Sequence, residues 1–418
     1  MRCGVSTARD QLRLQRVQAA VPMAGLGLAL AGSAAFFFAL FAGYGQRAWQ
    51  AYLVNFVFWT GLAFGALLFS PVLNMANANW GRPMKRLSEA FSAYLPVSFA
   101  LFCGLYAGRN HLFPWARGPV EGAFKQAWLR IGFVFARDGF GLALLTTLFL
   151  VLVYYSIRGD RRWTKAEAEG RGGEKALDEE LRTGWRIQKI LSPIIGITYA
   201  FVLSLVAFDL IMSLDPRWYS TLFGGYYFVG AFYSGIVALY LVALVYGERT
   251  ELKPYLHARQ FHDMGKLVMA FTLFTGYLFY AQFFVIWYAD IPEETRFMIR
   301  RFRLPPWEQL GWVILIMILF LPFFVLLSRK AKTRKPVMVV LCLIILTGMW
   351  LERFILVAPS IWTGAGIPLG LLEVLITGGF FGMVLLTVGL FLKNVPLAPV
   401  SDPLFHAFLD QREERLRP

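Results

Sequence analysis

Apolar residues in this 418-residue chain come in long unbroken runs rather than at the alternating or helical periods of half-buried elements. Ten runs approach or reach the roughly 20 residues a helix needs to cross the hydrocarbon core of a bilayer. They are residues 21–43, 51–74, 90–107, 131–157, 190–212, 223–247, 262–289, 310–327, 337–359 and 369–392. Backbone N–H and C=O groups cannot stay unpaired in lipid, so the pattern predicts an all-α polytopic membrane protein with about 10 transmembrane helices. The eighth run carries Pro322, tolerable where a neighbour satisfies the carbonyl that proline frees. The first run follows an arm with Arg2, Arg9, Arg13 and Arg16; it is too long for a signal-peptide core and lacks a clear cleavage site, so it reads as an uncleaved helix.

A repeat is superimposed on the runs. Met84-Lys85-Arg86-Leu87-Ser88-Glu89-Ala90-Phe91 opens the third helix and Met264-Gly265-Lys266-Leu267-Val268-Met269-Ala270-Phe271 the seventh, both reading M-x-[KR]-L-x-x-A-F. Asp209 precedes Pro216 in the fifth helix as Glu352 precedes Pro359 in the ninth, with Trp218 and Trp362 just beyond. Two copies of a four-helix unit, helices 2–5 and 6–9, account for both matches. Four crossings return the chain to its starting side, so the copies form a parallel repeat about an axis along the membrane normal, flanked by helices 1 and 10. The chain then divides into 1–50 (N-terminal arm and helix 1), 51–212 (first bundle, with the charged loop 158–189), 223–359 (second bundle) and 369–418 (helix 10 and tail). Gly61/Gly65 and Gly378/Gly382 are small-xxx-small pairs suited to close helix packing.

Composition agrees: 57% of residues are hydrophobic and 16% charged, and the net charge is +15. The charge is topological rather than a nucleic-acid footprint. The side holding the N-terminus carries 28 Lys and Arg, the other side 10. The positive-inside rule therefore puts both termini in the cytoplasm. The basic 158–189 stretch suits anionic lipid, with a cytoplasmic partner as the alternative.

Three cysteines, at 3, 103 and 342, form no metal or haem-attachment motif, and the four histidines fall in loops, tails or at helix ends. No phosphate or dinucleotide fingerprint is present. The chain is thus expected to carry no redox centre of its own. Ionisable groups inside the membrane are the remaining signal, because each is costly in lipid unless paired or hydrated. Arg137 and Asp138 lie near the outer end of helix 4, Asp209 in the outer part of helix 5, Glu352 and Arg353 in helix 9, and Glu373 in helix 10. Toward the cytoplasm lie His262, Asp263 and Lys266 of helix 7 and Lys85, Arg86 and Glu89 of helix 3. Thr198, Tyr199, Ser204, Thr272 and Tyr277 fall between. Asp138, Asp209, Glu352, Glu373, His262, Asp263, Lys266 and Tyr199 are proton-path candidates. Arg137 and Arg353 are candidates for ion pairs that fix helix register. Neighbouring residues point about 100° apart on a helix, so each doublet is expected to pair across helices. Asp209 and Glu373 have no charged neighbour close in sequence and read as freer acids.

The block Asp209-Leu210-Ile211-Met212-Ser213-Leu214-Asp215-Pro216-Arg217-Trp218, with His262-Asp263-Met264-Gly265-Lys266, Trp287-Tyr288-Ala289-Asp290-Ile291-Pro292-Glu293-Glu294-Thr295 and Trp80-Gly81-Arg82-Pro83, resembles the NrfD-like (polysulfide-reductase-like) membrane subunits over roughly residues 50–395. The likeness is nearest to the F component (ActF type) of bacterial alternative complex III, a quinol:electron-acceptor oxidoreductase of the cytoplasmic (inner) membrane. It implies two four-helix bundles and two flanking helices. It also implies partners: a second NrfD-like quinol-binding subunit, an iron–sulfur protein, c-type cytochrome subunits and small membrane subunits. Menaquinol or ubiquinol, haem c and iron–sulfur clusters would then sit on partner subunits. In that family quinol oxidation is attributed mainly to the other NrfD-like subunit, and the F component is proposed to conduct protons. Helix 2 here reads Phe69-Ser70-Pro71-Val72-Leu73-Asn74, without the histidine expected of quinol-binding relatives. No quinol site is expected on this chain.

The leading expectation is a cofactor-free membrane subunit of a quinol-oxidising electron-transfer complex, providing a proton path or a structural dock. Two alternatives stay open: a secondary transporter, which parallel repeats and intramembrane charges also suit, and an inert membrane anchor.

Overall fold

In the computed structural model, which describes residues 8–118, 122–170, 175–250, 252–364 and 366–416, ten helices among the described residues are long and apolar enough to cross a membrane. They are α1 (Ala20–Phe41), α2 (Gly45–Met75), α3 (Arg82–Leu105), α4 (Ile131–Glu167), α5 (Leu177–Leu214), α6 (Phe223–Val245), α7 (Ala258–Ala289), α8 (Trp307–Leu327), α9 (Lys335–Ile361) and α10 (Leu371–Asn394). The described residues contain no strand. The ten apolar runs each became one span. Several helices begin before their apolar run, because polar residues such as Arg82–Glu89 are buried by neighbours rather than left in a loop.

The charged segment 158–189 differs most from expectation. It is not a loop but a helical hairpin, formed by α4 running on to Ala168 and a helix that begins at Lys175 and continues as α5. Its Lys, Glu, Ala, Leu and Arg residues are good helix formers. Glu180 bridges back to Arg158 (2.7 Å) and Arg162 (3.4 Å).

α2 and α6 form the centre of the molecule, with 89% and 78% of their most apolar stretches buried. α2 contacts α5, α6, α9 and α10; α6 contacts α5, α7 and α9. The α2/α6 crossing is backbone on backbone. A Cβ on Gly65 would fall 2.1 Å from the Ala231 carbonyl oxygen, and one on Gly235 would fall 2.0 Å from the Ala66 nitrogen. α1 and α10 pair along one side through Gly32 and Gly379; a Cβ on Gly32 would meet the Gly379 backbone at 2.3 Å. Of the two expected small-residue pairs, Gly65 and Gly382 make such approaches, whereas Gly378 faces open space and Gly379 takes its place.

Prolines inside spans are matched by donors from neighbours. Pro359 removes the N–H that would serve the Ile355 carbonyl. Arg301, on the short helix Pro292–Phe302, donates to that carbonyl (3.0 Å), to the Leu356 carbonyl (2.8 Å) and to Ser360 Oγ (2.8 Å). Pro322 likewise orphans the Ile318 carbonyl, and the Tyr233 hydroxyl approaches it at 3.3 Å. A lysine at 301 cannot serve these acceptors together, so Arg301→Lys is expected to cost about 1–3 kcal/mol in thermal unfolding. Adding Pro359→Ala, which returns an N–H to Ile355, is expected to recover part of the loss. No recovery in the double variant would refute this account of Arg301.

Candidate functional site

The first turns of α3 carry Arg82, Lys85, Arg86 and Glu89 at helical spacing, which brings them to one face. That face is closed by α4, α5 and the segment after α10, and it holds six charged groups that are 0–4% exposed. Arg82 donates to Asn74 Oδ1 (2.7 Å), Asp402 Oδ2 (2.9 Å) and the Leu73 carbonyl (2.8 Å). Lys85 donates to Asp402 (2.8 Å) and Gln188 Oε1 (3.0 Å). Arg86 bridges Glu89 and Asp160. Glu89 also accepts from Ser70 (3.1 Å) and Ser156 (2.9 Å), and Asp160 from the Ser401 amide (2.9 Å) and hydroxyl (2.6 Å). Three cations meet three carboxylates. Burial alone would raise the Asp402 carboxyl, but Lys85, Arg82 and the Leu404 amide together hold it below the usual carboxylate range.

Three separate acid–base groups lie toward the opposite helix ends. Arg137 of α4 binds Asp209 of α5 through Nε (3.0 Å) and Nη2, while Trp128 Nε1 donates to the other carboxylate oxygen (3.1 Å). The Arg137 guanidinium stacks 3.8 Å from the centre of the Trp128 indole. Asp138, 1% exposed, stands against Asp209, to whose carboxylate its protonated form donates, and no other group among the described residues hydrogen-bonds its carboxyl oxygens. The Arg137 pairing across helices matches expectation. Glu352 and Arg353 depart from it: they pair with each other (2.8 Å), because Arg353 curls back over the Tyr227 ring at 4.4 Å. Nor are Asp209 and Glu373 free acids. Glu373 takes a two-point bond from Arg47 (2.9 and 2.8 Å) and caps its own helix at the Gly370 amide (2.8 Å). A partner 326 residues away leaves no local trace in a sequence.

Between the faces, Thr272 is buried and bonded to the Tyr233 hydroxyl (2.8 Å), but three other expected hydroxyls are tied elsewhere or exposed. Tyr199 donates to the Phe228 carbonyl (2.8 Å) and so ties α5 to α6, Ser204 bonds its own helix, and Tyr277 is 63% exposed. The buried polar positions leading away from Glu89 are instead Ser92, Tyr94 and Ser98 of α3, with Thr60 of α2 bonded to Ser98 at 2.7 Å. The Tyr94 hydroxyl is fully buried without a partner among the described residues. His262, Asp263 and Lys266 lie together at the start of α7 but outside the buried network, with Lys266 bonded to Asp263 (2.9 Å) and 58% exposed. Arg82, Asp160 and Asp402 were the residues sequence reasoning missed. Their signal, acids and bases outside the apolar runs, looks like ordinary loop charge. Among the described residues, no group of three or more His, Cys, Asp or Glu side chains could hold a metal ion.

An all-helical membrane protein with ionisable groups buried toward both ends of its spans is thus defined. The family profile of NrfD, polysulphide reductase, matches residues 40–365, and the chain belongs to that family. The family consists of membrane subunits of quinone-interacting reductase complexes. No curated protein matches the chain.

Proposed function

We propose that this chain is a proton-conducting, redox-inert membrane subunit of a quinol-oxidising electron-transfer complex, of the type of the F component of alternative complex III. In this reading both termini are cytoplasmic, and electrons pass through a second NrfD-like subunit, an iron–sulfur protein and c-type cytochromes. The Asp209–Trp218 block and the absent helix-2 histidine support the subtype. The observation that carries the proton role is Asp138. A buried carboxyl whose one hydrogen-bond partner is the Asp209 carboxylate of an Arg–Asp pair can pass its proton to and from that pair at little reorganisation, whereas its neighbours are held by further bonds. The cytoplasmic end of the path is the Arg86–Glu89–Asp160 network. Ser92, Tyr94, Ser98 and Thr60 line the way, with internal water completing contacts such as that of the Tyr94 hydroxyl.

The test uses the intact complex in sealed vesicles. Asp138→Asn keeps the shape and the Arg137–Asp209 pair but removes the titratable group. Proton movement per electron is expected to fall while assembly and electron transfer hold. An unchanged ratio would sink the proton role and favour a purely structural one. Purification of a colourless single chain, free of haem- and iron–sulfur-bearing partners, would overturn the complex assignment and favour the transporter reading.

A further inference from the structure

The α6–α9 half contains a cavity of its own, distinct from the Asp138 site. It lies beneath the helix Pro292–Phe302, lined by aromatic rings including Phe223, Phe279 and Phe297, and has about 50 Å³ of room for the centres of water molecules. Two side chains lining it end in buried polar atoms with no partner among the described residues, Thr275 Oγ1 and Gln282 Oε1, and the Glu352 carboxylate lines it beside them. The three residues are 2%, 8% and 3% exposed. Glu352 also has protein partners: Arg353 Nη1 lies 2.8 Å from Oε2 and 3.1 Å from Oε1, and Tyr226, another lining residue, hydrogen-bonds the carboxylate. Buried polar atoms in native proteins are nearly always paired, with protein or with ordered water. A water site needs about 10–15 Å³ of such centre-accessible room and two to four polar partners. By that measure the cavity holds about three to five waters. One donor–acceptor hydroxyl and one acceptor oxygen are left for water there, beside a carboxylate whose oxygens can accept more than one bond.

We infer that this cavity is a bound-water site: a small water cluster anchored by Thr275 and Gln282 beside the Glu352 carboxylate. The cluster hydrates the carboxylate of the Glu352–Arg353 pair and gives it a proton-exchange partner inside the membrane. One helical turn inward from Thr275, Thr272 bonds the Tyr233 hydroxyl at 2.8 Å, which continues the polar line toward the N-terminal face. Glu352 thereby becomes a second titratable site, seven residues before a proline as Asp209 is. The functional half of this inference rests on the proton-conducting reading above; the presence of water does not.

Water content is measured directly by brief X-ray radiolysis of the intact complex, with hydroxyl-radical labelling read by mass spectrometry. Buried water generates radicals in place, so Phe297 and Met298, 2% and 7% exposed, are expected to label although bulk solvent does not reach them. Met349, buried at 1% and not among the lining residues, serves as the dry control. Thr275→Val with Gln282→Leu keeps the volume and removes two anchors, and labelling of Phe297 and Met298 is expected to be lost. Wild-type protein that leaves both residues unlabelled overturns the water site, as does equal labelling in a folded double variant. Either result leaves the Asp138→Asn measurement standing, so the two readings fail separately.

Discussion

Arg86→Met is expected to destabilise the protein by about 3–5 kcal/mol, the cost of breaking a buried ion pair by removing one partner. Arg86 is fully buried and, among the described residues, is the one cation that bonds both Glu89 and Asp160. Without it, Arg82 and Lys85 remain to balance Glu89, Asp160 and Asp402, and an unpaired charge stays in a dry site. Lysine should rescue poorly, since one ammonium cannot reproduce a planar fork that holds two carboxylates at once. Glu89→Gln should be milder because Ser70 and Ser156 still bond that side chain. Arg86→Met with Asp160→Asn restores charge balance and should recover much of the loss, a coupling that a double-mutant cycle in detergent unfolding measures. A loss below about 1 kcal/mol for Arg86→Met would mean the network is hydrated rather than sealed.

The same network marks the limit of what the amino-acid order could reveal. Length and apolarity alone define a span, so the ten crossings were legible. The positive face could be read in the same way, since it follows from counting Lys and Arg. Asp402 was not legible. It lies in a polar tail, and only the folded chain places it between Arg82 and Lys85. Glu373 shows the converse, an acid that seemed alone and proves to be bonded to Arg47 at the start of α2. Charge partnership is a tertiary property, and hydropathy carries no information about it. Glu352–Arg353 adds a further lesson: rotation along a helix argues against contact between neighbours, but a long guanidinium stem bends back when a Tyr227 ring offers a surface.

Asp209 and Glu352 each lie seven residues before a proline, yet their cations come from different sources: α4 in one case, the next residue in the other. The Asp209 side therefore couples two helices, and its bond reports on their register. The Glu352 pair is formed within α9, and its carboxylate lines a cavity together with Tyr226. Such a division suits a protein in which one half is braced and the other hydrated.

Arg137→Met separates bracing from proton chemistry. It leaves Asp209 and Asp138 facing each other with no cation between them, and Asp209 is 0% exposed. The expected loss is again about 3–5 kcal/mol. Loss of the Trp128 and Phe133 stacking adds about 1 kcal/mol. Poor assembly of the single variant would say nothing about protons, so the informative protein is Arg137→Met with Asp209→Asn. That pair of changes removes both charges of the ion pair and keeps Asp138. It should fold and assemble close to the wild type, because the amide oxygen of an asparagine at position 209 can still accept from Trp128. If the ion pair sets the field in which Asp138 exchanges its proton, the double variant assembles but moves fewer protons per electron. If instead it assembles and moves them at the wild-type ratio, the Arg137–Asp209 pair is a brace alone and Asp138 suffices. A double variant as unstable as Arg137→Met would show that packing of the Arg137 stem and its ring contacts, rather than charge balance, holds α4 against α5.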